Sequence, residues 1–100
     1  MVETKYSDDV LTAKIYGEID HRRAQSIRTK IDAQTQMHKP KELQLDFSNV
    51  SFMDSSGIGL IMGRYRQVSL LGGSLKVVNV PQGLKKIIML SGIDSLGVLK

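Results

Sequence analysis

Cysteine and tryptophan are absent from this sequence, and only five of its 100 residues are aromatic. Without cysteine the chain forms no disulfide and performs no thiolate chemistry, which is typical of a cytoplasmic protein. No segment approaches the roughly eighteen consecutive apolar residues of a membrane span, and no signal peptide opens the chain. The two histidines, His21 and His38, lie far apart and have no ligand-spaced partners. The sequence therefore predicts a cytoplasmic protein with no membrane segment and no metal site.

The charge of the chain is only mildly basic, with 14 basic and 10 acidic side chains and a formal net charge of +4. The basic residues are spread along the chain in small clusters at 21–23, at Arg64 and Arg66, and at Lys85 and Lys86. A nucleic-acid-binding surface typically has a run of basic residues interleaved with aromatic side chains, and this sequence has no such run. This pattern argues against nucleic acid as a partner, and an acidic protein partner explains the charge equally well.

Hydrophobic periodicity predicts a single α/β domain over residues 1–100. Apolar residues alternate in the strand segments and recur with helical spacing between them. The predicted elements are strands 2–6 and 11–16 in a hairpin ending at Gly17, a helix from Asp20 to about His38, strand 43–47, a helix containing 58–68, strand 75–80, a helix from Pro81 to Gly92 and a short strand 96–99. Because strands alternate with helices after the hairpin, we expect a mixed sheet packed by helices.

The segment "FMDSSGIGL", Phe52 to Leu60, lies where a strand passes into a helix. A purely structural interpretation is that Asp54 or Ser55 caps the helix by accepting a hydrogen bond from a free amide. The glycines need a further explanation, because each glycine inside a helix costs about 1 kcal/mol relative to alanine. Gly59 and Gly63 share a helix face and could let the helix lie close to the sheet. Gly57, beside two hydroxyls, is expected to leave the backbone open to an approaching molecule.

Three functional hypotheses apply to this segment. The glycines resemble a dinucleotide fingerprint only loosely, since their spacing is GxGxxxG and not GxGxxG. A hydrolase is disfavoured because the G-x-S-x-G elbow is absent and a nucleophilic Ser55 or Ser56 would need a base, for which only His21 lies in a loop that could come near. The third hypothesis is that a serine here is the substrate of a kinase. Phosphorylation would add roughly −1.5 to −2 charges, which a helix N-terminus tolerates but an acidic neighbour or partner repels.

A second loop, residues 17–23, follows the second strand as the serine segment follows the third. If these strands are parallel, both loops emerge at one edge of the sheet, where such folds place their sites. Arg22 and Arg23 also lie in the first turn of a helix, where cations are unfavourable. The loop is either a solvated surface or part of a binding edge.

Taken together, these segments resemble a known family. The stretch "LDFSNVSFMDSSGIGLIMGRYRQ" (45–67) is similar to the signature segment of anti-sigma-factor antagonists, the STAS-domain family, and "GEIDHRRA" (17–24) is similar to the family's loop after strand two. The "GRYRQ" stretch is especially similar to the sporulation branch. The sporulation members carry a longer C-terminus with a further helix, whereas this sequence ends at Lys100. The resemblance therefore predicts a STAS-type domain over 1–100 that can lack this helix.

The resemblance implies a binding module and not an enzyme. Unphosphorylated antagonists bind an anti-sigma factor that is itself a serine kinase and so release the sigma factor. The kinase then phosphorylates the antagonist, and a serine phosphatase restores it; ATP and Mg²⁺ belong to the kinase, and the free antagonist is expected to be a monomer. The resemblance places the phosphate on Ser55, directly after the aspartate, although physical reasoning alone does not separate Ser55 from Ser56. It implies partner contacts by the two loops, at Asp20, His21, Asp54, Ser55, Ser56, Gly57 and Ile58. A STAS module of another pathway, such as the general stress response, is the alternative.

Overall fold

Four strands form one mixed sheet in the computed structural model, which describes residues 1–100. The strands lie in the order β1-β2-β3-β4, with β1 antiparallel to β2 and the other neighbours parallel. The elements are β1 (Val2–Ser7), β2 (Val10–Ile19), α1 (His21–His38), β3 (Glu42–Met53), α2 (Ser55–Leu70), β4 (Ser74–Val78), α3 (Gln82–Leu90) and a 3-10 segment (Ile93–Leu96). The predicted mixed α/β sheet packed by helices is confirmed.

A two-residue turn joins β1 to β2. Ser7 pairs with Val10 across the turn, and Asp8 and Asp9 both have positive φ, at 53° and 67°. Two left-handed residues match the twist of a tight hairpin, and aspartate tolerates this conformation better than most side chains. The hairpin is thus specified by local sequence chemistry.

One face of the sheet carries the core. In the first part of β2, Leu11, Ala13 and Ile15 are buried and the residues between them are half-buried, and Ile19 at the end of the strand is buried as well. In β3 the same alternation buries Leu43, Leu45 and Phe47, so these strands present one apolar face. The helices complete a single cluster of 20 buried apolar residues with side chains such as Ile27, Ile61, Val68 and Ile88. None of the helices is both long and apolar enough to cross a lipid bilayer.

The strands that lead to the two loops are longer than predicted. β2 runs past Gly17 to Ile19, and β3 continues beyond 47 to Met53. Their pairing shifts register twice, between Lys14 and Tyr16 and again between Gly17 and Glu18, because β3 contains an extra residue at each place. Such bulges interrupt the alternation of buried and exposed residues. The alternation therefore stops at Phe47, although the strand continues to Met53.

The C-terminal segment also differs from the prediction. Residues 96–99 do not form a strand; the 3-10 segment ends at Leu96, and a single bridge then joins Leu99 to Val77 in β4. The amide of Val77 donates to Val98 at 2.7 Å, and the amide of Lys100 donates to Val77 at 3.0 Å. This short pairing places the last residues beside β4 at the edge of the sheet.

Candidate functional site

The two loops singled out in the sequence meet at one edge of the sheet. Strands β2 and β3 are parallel and end together, with Ile19 paired to Met53. The amide of Asp54 also donates to the carbonyl of Ile19 at 3.2 Å. The condition that the sequence analysis set for the two loops, parallel strands, is therefore met, and it brings Asp20 and Asp54 out of the sheet as neighbours.

Each strand passes into its helix through a capping aspartate. Oδ1 of Asp20 accepts from the amide of Arg23 at 2.9 Å, and Oδ1 of Asp54 accepts from the amide of Ser56 at 2.7 Å. Both residues have the extended backbone that helix N-caps require, and each side chain satisfies an amide that the helix leaves free. Of the two candidate caps for α2, the structure selects Asp54.

The cap assignment gives the two serines different environments. Ser55 is the first residue of α2 and is exposed to solvent, whereas Ser56 is half-buried on the side of α2 that faces α1. A kinase must enclose the hydroxyl that it phosphorylates, so access favours Ser55. The asymmetry could not be read from the sequence, because either serine could have started the helix.

Charges within the first loop are largely paired. Nη1 of Arg23 lies 2.9 Å from Oδ2 of Asp20 and 3.3 Å from Oε1 of Glu18. The amide of Arg23, together with the charges of Arg23 and Arg22, lowers the pKa of Asp20 below its ordinary value of 3.8. The two carboxylates therefore compensate Arg23 for its unfavourable place at a helix N-terminus, while Arg22 forms no ion pair.

The glycines of α2 have different roles from those expected. Gly57 is buried, and a Cβ there would overlap Cγ and Sδ of Met53. The interpretation that Gly57 leaves the backbone open to a partner is wrong, because this residue faces the strand that precedes its own helix. A Cβ on Gly59 or Gly63 would meet nothing within 4 Å, so these two glycines do not bring the helix close to the sheet.

The remaining candidate residues lie around this edge. His21 is the first residue of α1 and is exposed, and it shares a groove between α1 and α2 with Ser56. Ile58 is half-buried and packs against the core. Phe52, which the sequence analysis did not select, pairs with Glu18 at the end of β3 and is 51% exposed. An exposed aromatic side chain at the rim of a candidate interface is a common contact residue.

A buried ion pair between the two helices was also missed. Arg64 of α2 is 7% exposed, and its Nε lies 2.8 Å from Oδ1 of Asp32 in α1. Gln67, with its amide nitrogen turned toward Asp32, donates to both carboxylate oxygens, to Oδ2 at 3.2 Å. Burial raises the pKa of Asp32, and the nearby cations Arg64 and Arg28 oppose this only in part. No local pattern indicates such a pair, since its partners are distant in sequence.

Comparison with known proteins places this geometry in a family. A model of the STAS domain matches residues 1–99 of the chain. The chain belongs to the STAS-domain family. It is 32% identical over 92 residues to an anti-sigma F factor antagonist of Paenibacillus polymyxa, covering 92% of this chain and 79% of that protein. It is 30% identical over 95 residues to an anti-sigma-B factor antagonist of Bacillus subtilis strain 168, covering 95% and 85%.

Solved structures show the same fold. The STAS domain described here superposes on the anti-sigma factor antagonist SpoIIAA in its unphosphorylated form with a TM-score of 0.86 and 26% identity, covering 100% of this chain and 86% of the other. It superposes on the phosphorylated form of SpoIIAA, a Bacillus cell fate determinant, with a TM-score of 0.77, covering 100% and 89%. The STAS-type fold expected from the sequence is confirmed.

Proposed function

We propose that this STAS domain is an anti-sigma factor antagonist that works by binding and is switched off by phosphorylation of Ser55. In its unphosphorylated form it binds an anti-sigma factor that is also a serine kinase, and the sigma factor is released. The observation that carries the proposal is an exposed serine directly after the capping Asp54, at the edge where both loops emerge. Relatives named as antagonists, and a structural neighbour solved in both phosphorylation states, support it.

The proposed interface consists of the two loops and the residues between them. It includes Asp20 and His21 of the first loop and residues 54–58 of the second, with Gly57 acting through the shape of the turn and not as a surface contact. Phe52 adds an exposed apolar side chain next to them. Neighbouring acidic, basic and aromatic groups suit a specific protein contact. The aromatic side chain adds apolar area that a partner can bury, and the charges fix the orientation of the partner.

Phosphorylation would act on this surface locally. The partner kinase, which holds ATP and Mg²⁺, transfers the γ-phosphoryl group to Oγ of Ser55, releases ADP and takes up the hydroxyl proton. The product adds roughly −1.5 to −2 charges and bulk beside Asp54 and Asp20. The free amides at the start of α2 accommodate an anion, so the fold is retained. The new charge cannot be buried in the interface without a large desolvation cost, so the complex dissociates until a serine phosphatase removes the phosphate.

This function needs no cofactor on the STAS domain and no nucleic acid or membrane. We propose that the free domain is a monomer in the cytoplasm, where its kinase, phosphatase and sigma factor act. The alternative is an antagonist of the general stress pathway, which the similarity to an anti-sigma-B factor antagonist favours. Both alternatives use the same surface and differ in the partner that it recognises.

The deciding experiment is to mix the purified domain separately with each candidate anti-sigma factor of its cell and Mg-ATP. We expect one of them to form a complex, to release its sigma factor and to place one phosphate on the domain. The identity of that factor separates the sporulation role from the stress role. If none of them binds or phosphorylates the domain, the proposed function is wrong.

A further inference from the structure

Strand β1 forms an open edge of the sheet. It pairs only with β2, and no other strand lies beside it. At the opposite edge, the bridge between Leu99 and Val77 covers part of β4. β1 is a regular strand of six residues, Val2–Ser7, that contains no bulge and no proline. Bulges and prolines commonly stop a second chain from adding to an edge strand, and β1 has neither of them.

The backbone of β1 bonds to β2 at every second residue and points away from it at the others. The amide of Tyr16 donates to the carbonyl of Met1 at 2.9 Å, so these two residues are a hydrogen-bonded pair of the antiparallel ladder. Because such pairs alternate with non-hydrogen-bonded ones, Glu3 and Lys5 are also bonded to β2. The residues whose N–H and C=O groups point out of the sheet edge are Val2, Thr4 and Tyr6.

The side chains of β1 carry opposite charges at alternate positions. Glu3 and Lys5 are exposed on the face of the sheet that is turned away from the core. Lys5 forms no ion pair, and Glu3 accepts a hydrogen bond from the hydroxyl of Tyr16, which leaves its second carboxylate oxygen free. An acidic and a basic residue spaced in this way complement the same strand running in the opposite direction, because each acid then lies opposite a base.

We propose that β1 pairs with β1 of a second copy of this chain, antiparallel and with Thr4 opposite Thr4 on a two-fold axis. In this register Val2 lies opposite Tyr6, so every outward-facing backbone group meets an outward-facing one. Glu3 lies opposite Lys5 at both non-hydrogen-bonded positions, where side chains approach most closely. The pairs of Val2 with Tyr6 and of threonine with threonine are also cross-strand pairs that stabilise sheets.

The neighbouring registers do not fit. A shift of one chain by one residue sets outward-facing backbone groups opposite groups that already bond to β2. A shift by two residues keeps the backbone match but places Glu3 opposite Glu3, or Lys5 opposite Lys5, and like charges directly opposite each other are destabilising. The register centred on Thr4 is therefore the one that satisfies both the backbone and the charges.

The dimer is expected to be weak. A single strand pair buries less area than a stable interface, which needs about 1,000 Å², so the dilute domain remains the monomer of the proposed function. The loop edge lies at the end of β2, and β2 is antiparallel to β1, so the two-fold axis places the two loop edges at opposite ends of the dimer. Each copy keeps its loop edge open, and the inference does not depend on what binds there.

The first test is sedimentation equilibrium of the free domain between about 10 μM and about 1 mM. We expect the average mass to rise from that of a monomer toward that of a dimer as the concentration increases. A monomer at every concentration would overturn the proposal. Assembly beyond a dimer would also overturn it, because a two-fold pairing leaves no free β1 edge.

Charge variants test the register. Lys5→Glu puts a carboxylate opposite Glu3 and should weaken association about ten-fold or more. Lys85→Glu makes the same change of net charge beside Leu99, at the opposite edge of the sheet, and should not weaken it. Combining Lys5→Glu with Glu3→Lys exchanges the two charges and should restore the dimer. Equal effects of Lys5→Glu and Lys85→Glu, or a folded double variant that stays monomeric, would overturn the proposal.

A proline variant tests the backbone contact. Thr4→Pro removes the central outward-facing N–H, which β2 does not use, so the domain should stay folded because edge strands tolerate proline. Thr4→Val keeps this N–H and is the matched control. We expect Thr4→Pro to remain a monomer at the highest concentration and Thr4→Val to associate like the original domain. Equal association of the two variants would overturn the strand pairing.

Discussion

The backbone amide of Asp54 donates a hydrogen bond to the carbonyl of Ile19, with 3.2 Å between nitrogen and oxygen. This bond extends the pairing of β2 and β3 by one step beyond the strands themselves. Asp20 directly follows Ile19, so the caps of α1 and α2 are held side by side. Under the proposed function, a partner that contacts one of these loops would also reach the other, and a phosphate on Ser55 would change the surface of both.

The first prediction concerns the phosphate acceptor. Ser55→Ala should abolish phosphorylation by the partner kinase, because the exposed hydroxyl at the first position of α2 is lost. Ser56→Ala is the matched control and should still be phosphorylated, since Ser56 is half-buried. Phosphopeptide mapping of both variants decides the assignment. Full-rate labelling of Ser55→Ala would move the acceptor to another residue.

The second prediction is that phosphorylation leaves the fold nearly unchanged. The amides at the start of α2 favour a nearby anion, so the phosphate needs no rearrangement to be accommodated. Backbone NMR shifts should therefore be confined to the two loops and the first turns of α1 and α2. Large shifts in the core of β2 or in β4 would contradict this local mechanism and indicate an allosteric one.

The third prediction separates the two roles of Asp20. Asp20→Asn should retain the helix cap, because asparagine caps as well as aspartate, but it removes the charge that Arg23 and a partner can use. We expect a small loss of stability at neutral pH, because the stabilising charge of Asp20 is removed while the cap is kept, and weaker partner binding by calorimetry. Asp94→Asn, which removes an acidic group from the 3-10 segment, serves as the control. Unchanged affinity of Asp20→Asn would limit this residue to capping.

Asp20 also implies a pH dependence. Its pKa is lowered in the folded state, so the carboxylate stabilises the fold above the ordinary value of 3.8 and loses this effect as the pH falls through the folded pKa. Asparagine does not titrate there. The stability of the original domain relative to Asp20→Asn should therefore decrease as the pH falls into the acid range. The measurement is urea unfolding of both proteins from neutral to acid pH. If the difference between their free energies of unfolding stayed constant over this range, the titration of Asp20 would not be coupled to folding.

The fourth prediction concerns Phe52. This ring is 51% exposed, so Phe52→Ala removes little core and should change stability by less than about 0.5 kcal/mol. If Phe52 lies in the partner interface, the variant should bind about ten-fold more weakly or worse. Leu70→Ala is the control, because Leu70 is 81% exposed at the other end of α2, about 22 Å along the helix. Equal affinities of the two variants would exclude Phe52 from the interface.

Local patterns in the sequence were sufficient for most of the fold. Alternation identified β2 and the first half of β3, and helical spacing identified α1 and α2. Asp20 was predicted as the cap of α1, whereas Asp54 and Ser55 were alternatives for α2. The extension of β3 was not predictable, because its bulges bury Val50 and Met53 three residues apart and so break the alternation. Such bulges depend on the neighbouring strand and have no signature in β3 alone.

The candidate site was predictable in its position but not in its packing. The loops that follow neighbouring parallel strands lie at the same edge of the sheet, and this rule alone was sufficient to expect the loops of Asp20 and Asp54 close together. The pairing of Arg64 with Asp32 depends on how two helices lie against each other, which local spacing does not specify. The sequence did contain one signal that Gly57 faces inward, and it was overlooked. Gly57 lies four residues before the buried Ile61 and therefore on the same face of α2.

The last prediction concerns Gly57. Its φ is not positive, so alanine fits the backbone, and helix propensity alone would favour Gly57→Ala by up to about 1 kcal/mol. The added methyl group, however, would overlap the buried side chain of Met53. Overpacking of this kind typically costs about 1–3 kcal/mol, so we expect Gly57→Ala to be less stable than the original domain by roughly 1 kcal/mol or more.

Two comparison variants isolate this contact by urea unfolding. Gly59→Ala lies in the same helix with open space around it and should be neutral or slightly stabilising. Met53→Ala removes the overlapping side chain, so Gly57→Ala should cost less in that background than in the original one, and the two changes should be non-additive because the residues are in contact. If Gly57→Ala proved as stable as Gly59→Ala, Met53 would have another conformation available at no cost. Glycine at this position would then need an explanation outside the folded domain, and the partner interface would be the place to look for it.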